Sequence, residues 1–172
     1  MKLSYLIHGL PGHPLHPPLT DATIGTYTVA TILAVLSKLG VSEHNTATAW
    51  WLALVVGLVL TVPTALAGFA DWLTISRAAP LWRTATAHLV AMVTATVIFL
   101  IAALVGHSAY TDASVNAGGL ILTLIAFAAL TVGGWLGGAI VFTYGKRVLN
   151  LVDEPAGRAA VPATEEKELA AR

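Results

Sequence analysis

Long apolar stretches alternate with short polar connections along most of the chain. A helix needs about 20 apolar residues to cross the hydrocarbon core of a bilayer, and each stretch is at least that long. Because the connections are short, consecutive helices should be antiparallel neighbours. The pattern therefore predicts an all-α fold, a four-helix transmembrane bundle with up-down-up-down topology, whose spans cover about residues 19–39, 47–71, 84–107 and 117–144.

The polar positions divide the chain into three parts, 1–18, 19–150 and 151–172. The first part contains HPLHPP, residues 13–18, and we predict that it is extended, since Pro14 and Pro17 disfavour helical geometry at the residues before them. Its apolar stretch is too short for a signal-peptide core, so we expect no cleaved signal. The second part is the four-helix domain. The third part loses the apolar pattern and is predicted to be a disordered or short-helical tail, with a short Ala/Glu helix at its end.

Basic residues fall almost entirely on one side of the predicted bundle. The chain is 56% hydrophobic and 10% charged, with no net formal charge, so the placement of the charges is more informative than their sum. Retained cytoplasmic loops carry the excess of Lys and Arg. We therefore predict that both termini of this multi-pass membrane protein are cytoplasmic. Only Lys38 lies on the outer side; the cytoplasmic set is Lys2, Arg77, Arg83, Lys146, Arg147, Arg158, Lys167 and Arg172.

Four tryptophans lie near the ends of the predicted spans. Trp50 and Trp51 begin the second span, whereas Trp72 and Trp82 flank the connection between the second and the third. Because the indole ring is amphipathic, it is enriched at the membrane–water interface. We expect the first two to anchor the outer interface and the other two the inner one.

Several residue types that would mark a specific chemistry are missing from the chain. It has no cysteine, which excludes thiolate metal sites and iron–sulfur clusters held by this chain. No charged residue or histidine lies in the middle of a predicted span, where such groups usually mark a transport path. No serine lies in a nucleophile-elbow motif. Pump, channel and triad-enzyme functions are disfavoured, an enzyme with a metal site stays open, and no nucleic-acid partner is expected.

The predicted topology gathers polar residues at the cytoplasmic face. Asp71, in GFADW at the end of the second span, is expected to pair with Arg77 or Arg83, or to accept a proton from His13, His16 or His88. An interfacial salt bridge and a metal-ligating carboxylate are both open interpretations. The predicted polar cluster is Asp21, Asp71, Trp72, Arg77 and Arg83, beside the histidines His13, His16 and His88.

Three histidines are the candidate ligands. In a polyproline geometry, residues three apart face the same side, so His13 and His16 are candidates for one site. Pro17 and Pro18 equally suit the first turn of a helix. His88 lies below the headgroups, where a neutral imidazole needs a helix partner, water, a metal or a haem iron. His13, His16 and His88 are thus candidates for binding haem b or a transition metal, with Asp71 as a further metal ligand.

The fourth span contains GGWLGG, residues 133–138. Gly133 with Gly137 and Gly134 with Gly138 form two overlapping small-xxx-small pairs, which let helix backbones approach closely. We predict that all four glycines pack against a neighbouring helix; making room for a flat ligand such as haem is the alternative interpretation.

The motifs HPLHP, GFADW, an Arg then a His entering the third span, and GGWLGGAIVFTYGKRV together resemble one family. They are similar to the small four-helix bacterial membrane proteins of the DUF2231 family (domain of unknown function 2231), over about residues 10–148. The resemblance implies a multi-pass protein of the bacterial cytoplasmic (inner) membrane. Where members often have a histidine in the stretch matching YGKRV, this chain has Lys146 after Gly145. Some members are joined to a Rieske-type iron–sulfur module, which implies electron transfer. The characteristic positions would be His13, His16, Gly68, Asp71, Trp72, Arg83, His88, Gly134, Gly137 and Gly138.

Two functions fit these features best. The first is an accessory or scaffold subunit in which the His/Asp/Arg cluster fixes the helix ends. The second is electron transfer through a b-type haem or a transition metal held by His88 with His16 or His13. A transporter and a membrane enzyme are further alternatives. The expected partners are the lipid bilayer and either a membrane redox partner or a second copy of the chain.

Overall fold

Four long helices form the body of the protein, as predicted. The computed structural model describes residues 4–110, 113–149, 151 and 153–164. The long helices are α2 (His16–Lys38), α3 (Glu43–Leu73), α4 (Pro80–Val105) and α5 (Ala117–Gly138), the last continued by a π-helical turn, Ala139–Thr143. All four are long and apolar enough to cross a membrane.

The segment before α2 is extended over a shorter stretch than the sequence predicts. A short helix, α1 (Tyr5–His8), leads into a hairpin of β1 (Gly9–Leu10) and β2 (His13–Pro14). Helix α2 then begins at His16, because its two prolines occupy the first turn, where a missing N–H costs no hydrogen bond. His13 and His16 are therefore separated by a change from strand to helix, so the shared polyproline geometry does not form.

The helices are arranged around a common core, with α2 packed mainly on α3 and α4 mainly on α5. Further contacts join α3 to α4 and α2 to α5, so α2 and α4 lie diagonally across the bundle. In the core the ring of Tyr27 stacks on Phe99 with the centroids 4.0 Å apart. The hydroxyl of Tyr27 shares a 2.9 Å hydrogen bond with that of Thr61, which ties α2 to α3 below the surface.

Trp50 does not lie at the membrane interface, which corrects the sequence prediction. Its side chain is fully buried, and its indole N–H donates to the hydroxyl of Thr123 at 3.1 Å. Gly106 and Gly119 make space for the ring, since a Cβ at either position would lie within 3 Å of it. Buried tryptophan needs such an acceptor. Trp51 is only partly buried and donates to the carbonyl oxygen of Ala103.

The chain reverses after α5 and returns to the end of the bundle where it began. The π-helical turn is followed by Gly145, with φ +65°, and by Arg147, with φ +60°, so two left-handed residues redirect the backbone. In the tail, a short helix α6 (Ala156–Ala159) is present, and the N–H of Ala163 donates to the carbonyl oxygen of Pro11. The Ala/Glu helix predicted at the end of the tail lies outside the described residues.

Candidate functional site

Asp71 joins three distant segments at the end of the bundle that carries both terminal segments. Its Oδ1 accepts a hydrogen bond from Nδ1 of His8 at 2.8 Å and another from Nη1 of Arg147 at 2.9 Å. The same guanidinium nitrogen also donates to the carbonyl oxygen of His8 at 2.8 Å. We call these three residues the Asp71 junction. It links α1, the end of α3 and the segment after α5 through one carboxylate oxygen.

The junction is mostly shielded from solvent. The exposed fractions of the side chains are 7% for Arg147, 18% for Asp71 and 24% for His8. Charged hydrogen bonds in such surroundings are stronger than those at an open surface. Lys146 adds a more exposed bond to the Thr74 hydroxyl at 3.2 Å, so the segment after α5 is held to α3 at two successive residues.

Asp71 pairs with neither of the arginines that the sequence suggested. Arg77 and Arg83 are both exposed in and beside the connection between α3 and α4, and Asp71 accepts hydrogen bonds from His8 and Arg147 instead. The geometric reason is the helical course of α3 up to Leu73, which directs Asp71 toward the terminal segments rather than toward its own loop. Trp72, the next residue, donates to the hydroxyl of Thr86 on α4 at 3.0 Å.

His16 is turned inward from the first turn of α2. Its Nδ1 lies 3.0 Å from the carbonyl oxygen of Thr64 on α3. A carbonyl oxygen only accepts, so Nδ1 carries the proton and the neutral ring has an unprotonated Nε2. The ring lies against Gly68, where an added Cβ would be 2.5 Å from Cε1. The glycine of GFADW is thus the space into which this imidazole fits.

His88 repeats the arrangement on the other side of the bundle. Its Nδ1 donates to the carbonyl oxygen of Gly133 on α5 at 2.8 Å, the interhelical hydrogen bond that the sequence allowed. The ring lies near Gly137, where an added Cβ would be 3.1 Å from Cε1. Here too the backbone bond assigns the proton to Nδ1 and leaves Nε2 unprotonated.

The two rings meet across the diagonal of the bundle. The centroids of His16 and His88 are 6.5 Å apart, with an interplanar angle of 82°. We call them the imidazole pair. Because α2 and α4 are not packed directly on each other, the pair occupies the centre of the bundle just below the Asp71 junction.

The other predicted polar residues lie away from this centre. His13 is exposed in β2, opposite Leu10 of β1, and Asp21 is exposed on α2. Among the described residues, no three side chains of the His, Cys, Asp or Glu type are grouped as a metal site with three or four such ligands would require. The structure therefore brings together His16 and His88 but not His13, and it engages Asp71 with His8 and Arg147.

Two of the four glycines in GGWLGG make the close helix contact, and two do not. A Cβ at Gly133 would lie 2.5 Å from the sulfur of Met92, and Gly137 faces His88. In contrast, Gly134 has no atom within this range, and Gly138 meets only Phe142 of its own helix. Residues four apart share a helix face whereas adjacent ones do not, so only the first small-xxx-small pair packs against α4.

His8 and Arg147 are the functional-site residues that sequence reasoning missed. They lie 139 positions apart and meet only because the bundle has an even number of helices. A signal for Arg147 existed in YGKRV, since a basic residue two positions after the glycine that ends a helix can return to the helix ends. His8 carried no comparable signal, because its short apolar surroundings in YLIHGL predict nothing about a partner.

Comparison with known proteins gives one match. A family model described as Predicted membrane protein (DUF2231) matches residues 12–150, which includes α2 to α5, the imidazole pair, Asp71 and Arg147. No curated protein and no solved structure matches the chain.

Proposed function

The chain belongs to the DUF2231 family of predicted membrane proteins, and from this premise we propose that it is an accessory or scaffold subunit of the bacterial inner membrane. The observation that carries the proposal is the double hydrogen bond to Oδ1 of Asp71 from His8 and Arg147. A carboxylate held in this way positions chain segments. The function of the junction is to fix one end of the bundle as a defined surface.

The charges of the junction compensate one another. A carboxylate that acts in proton transfer or metal binding needs access to a substrate, proton or ion, whereas Asp71 faces a guanidinium and an imidazole. Removing one member of a shielded charged group is costly because the remaining charge loses its partner. These properties favour a structural role for the cluster over a catalytic one.

The exposed basic residues beside the junction form the contact surface in this proposal. Arg77 and Arg83 flank the connection between α3 and α4, and the orientation expected from the basic residues puts them on the cytoplasmic side. Arg side chains offer several donors in a fixed planar group and suit carboxylate partners. The partner is therefore a membrane-associated protein with an acidic cytoplasmic segment.

Site-specific photo-cross-linking in native membranes tests this function. A photoreactive residue at position 77 or 83 should give an adduct of discrete mass with a partner protein. The same residue at position 66, an exposed apolar position of α3, should label lipid only. Asp71→Asn should reduce the yield at positions 77 and 83, since the surface is no longer fixed. An unmodified monomer at all positions would contradict the proposal.

Electron transfer is the second candidate function, and one observation favours it. His16 and His88 come from different helices and their rings lie 6.5 Å apart, with both Nδ1 atoms hydrogen-bonded to backbone carbonyl oxygens. This pattern orients metal-ligating imidazoles in other proteins. Haem b or a transition metal held by this pair would pass electrons to a membrane redox partner. A reversible one-electron signal that is lost in His88→Ala would support this candidate.

A further inference from the structure

We infer that the imidazole pair is a binding site for one univalent soft metal ion, Cu(I), with Nε2 of His16 and Nε2 of His88 as its ligands. The inference goes beyond the scaffold function and does not depend on it. The inference concerns the same two histidines as the second candidate function and names the ion that they bind, whether or not that ion carries electrons.

Both rings already have the tautomer that a metal ligand needs. Each Nδ1 donates to a main-chain carbonyl oxygen, that of Thr64 for His16 and that of Gly133 for His88. Each Nε2 therefore carries a lone pair and no proton. The Nε2 of His16 has only a weak contact, 3.5 Å to the Thr20 hydroxyl, which already donates to the carbonyl oxygen of His16. Metal binding would displace no proton from either ring.

The number and charge of the available ligands select the ion. Structural Zn²⁺ takes four ligands, and among the described residues no third His, Cys, Asp or Glu joins the pair. Cu(I), in contrast, is stable with two ligands in a linear arrangement. Both imidazoles are neutral, and Asp71 is engaged by His8 and Arg147. Since the desolvation cost of an ion rises steeply with its charge, a univalent ion suits this site better than a divalent one.

A soft sulfur atom lies beside the part of the α5 backbone that accepts a hydrogen bond from His88. Met92 is one turn deeper than His88 on the same face of α4, and its sulfur lies 2.5 Å from the position that a Cβ of Gly133 would take. Gly133 is also the residue whose carbonyl oxygen accepts from His88. Thioethers are ligands of Cu(I) and weak ligands of harder ions, so this neighbour favours the same ion.

The packing of the rings favours an ion over haem. His16 lies against Gly68 of α3, and His88 lies against Gly137 of α5. A single ion needs only the gap between the two rings. A porphyrin would extend past both rings toward α3 and α5, where the imidazoles already contact the glycines.

Anaerobic titration of the full-length protein in detergent with Cu(I), in competition with a coloured Cu(I) chelator, tests the inference. We expect one ion per chain for the wild type. His16→Asn and His88→Asn should each weaken binding by at least ~10-fold, a loss that even outer-shell partners of a ligand produce. His13→Asn is the matched control, because His13 is exposed and only three residues from His16, and it should bind as the wild type does.

Two further measurements keep the test decisive if a histidine variant is unstable. X-ray absorption of the copper-loaded wild type should show a low-coordinate Cu(I) with nitrogen donors, and Gly68→Ala should weaken binding because its Cβ displaces the His16 ring. No Cu(I) binding by the wild type, an equal loss in His13→Asn, or a haem absorption band that disappears in His16→Asn would each overturn the inference. The photo-cross-linking test of the scaffold function needs no metal, so the two can fail separately.

Discussion

Gly68 and His16 occupy one space between α3 and α2. A Cβ on Gly68 would lie 2.5 Å from Cε1, 2.9 Å from Nδ1 and 3.0 Å from Nε2 of His16. The Cε1 end of the imidazole therefore packs against the α3 backbone, where Thr64 supplies the carbonyl acceptor for Nδ1. The glycine of GFADW and the second histidine of HPLHPP, which are 52 positions apart, form one structural unit.

Gly68→Ala tests this unit. The new methyl group should displace the ring of His16 and remove its bond to Thr64, which lowers the free energy of unfolding by about 1–3 kcal/mol, the usual cost of overpacking. Thermal unfolding in detergent gives the measurement. Gly134→Ala is the control, since its Cβ meets nothing within 4 Å, and it should unfold at the wild-type temperature or above.

Gly137→Leu should separate α5 from α4. Its side chain would enter the space of the His88 ring, and lipid contacts do not replace the lost close packing. Gly138→Leu makes the matched comparison, because Gly138 faces only Phe142 of its own helix. Thermal unfolding should show a lower midpoint for Gly137→Leu and a much smaller change for Gly138→Leu. Equal midpoints for the two variants would show that the close contact is not made by one glycine face.

Asp71→Asn should loosen the N-terminal segment without unfolding the bundle. An amide keeps the size of the carboxylate but loses the charge that attracts Arg147 and His8, and hydrogen bonds to charged groups contribute about 1.5–3 kcal/mol each. Limited proteolysis should cut faster at residues 8–14 while the long helices stay intact. Asp21→Asn, at an exposed position, should leave the rate unchanged. If both variants are cut at the wild-type rate, Asp71 does not hold this segment.

The orientation of the bundle in the membrane follows from eight basic residues against one. Reporter fusions at residues 42 and 112 should therefore give an external location, and a fusion at residue 78 a cytoplasmic one. The opposite pattern would place the Asp71 junction and the imidazole pair on the outer side.

The spans were predictable because each is a long apolar segment bounded by polar residues. The number of consecutive apolar residues decides whether a segment can span the bilayer. The observed helix His16–Lys38 differs from the expected first span mainly by three residues at its start. The prolines at the start of α2 explain that difference, since they belong to its first turn.

The contacts within the site were less predictable. The hydropathy pattern contains no information on which polar residue faces which, so it leaves two arginines and three histidines as possible partners of Asp71, and none of them is the observed one. Its partners come from residues 8 and 147, a pairing that depends on helix lengths and on the reversal at Gly145. The burial of Trp50 was equally unpredictable from hydropathy, because its ring fills a space left by the distant residues Gly106 and Gly119.

The most direct test of the Asp71 junction is disulfide formation between the two terminal segments that it fixes. The chain has no cysteine, and the Cβ positions of residues 12 and 163 lie 3.4 Å apart, close to the spacing of a disulfide. The double variant Gly12→Cys with Ala163→Cys should therefore form a disulfide rapidly on oxidation. A protease site added at residues 39–42 reports this bond, because the two fragments produced by cleavage stay joined until the disulfide is reduced. Gly12→Cys with Ser108→Cys, at opposite ends of the bundle, is the control for random collisions.

We expect the bond to form in the otherwise wild-type chain and to form much more slowly when Asp71→Asn is added, with Asp21→Asn having no effect. Fragments that separate without reductant in the wild-type background, or an oxidation rate that Asp71→Asn leaves unchanged, would contradict a scaffold held together by Asp71.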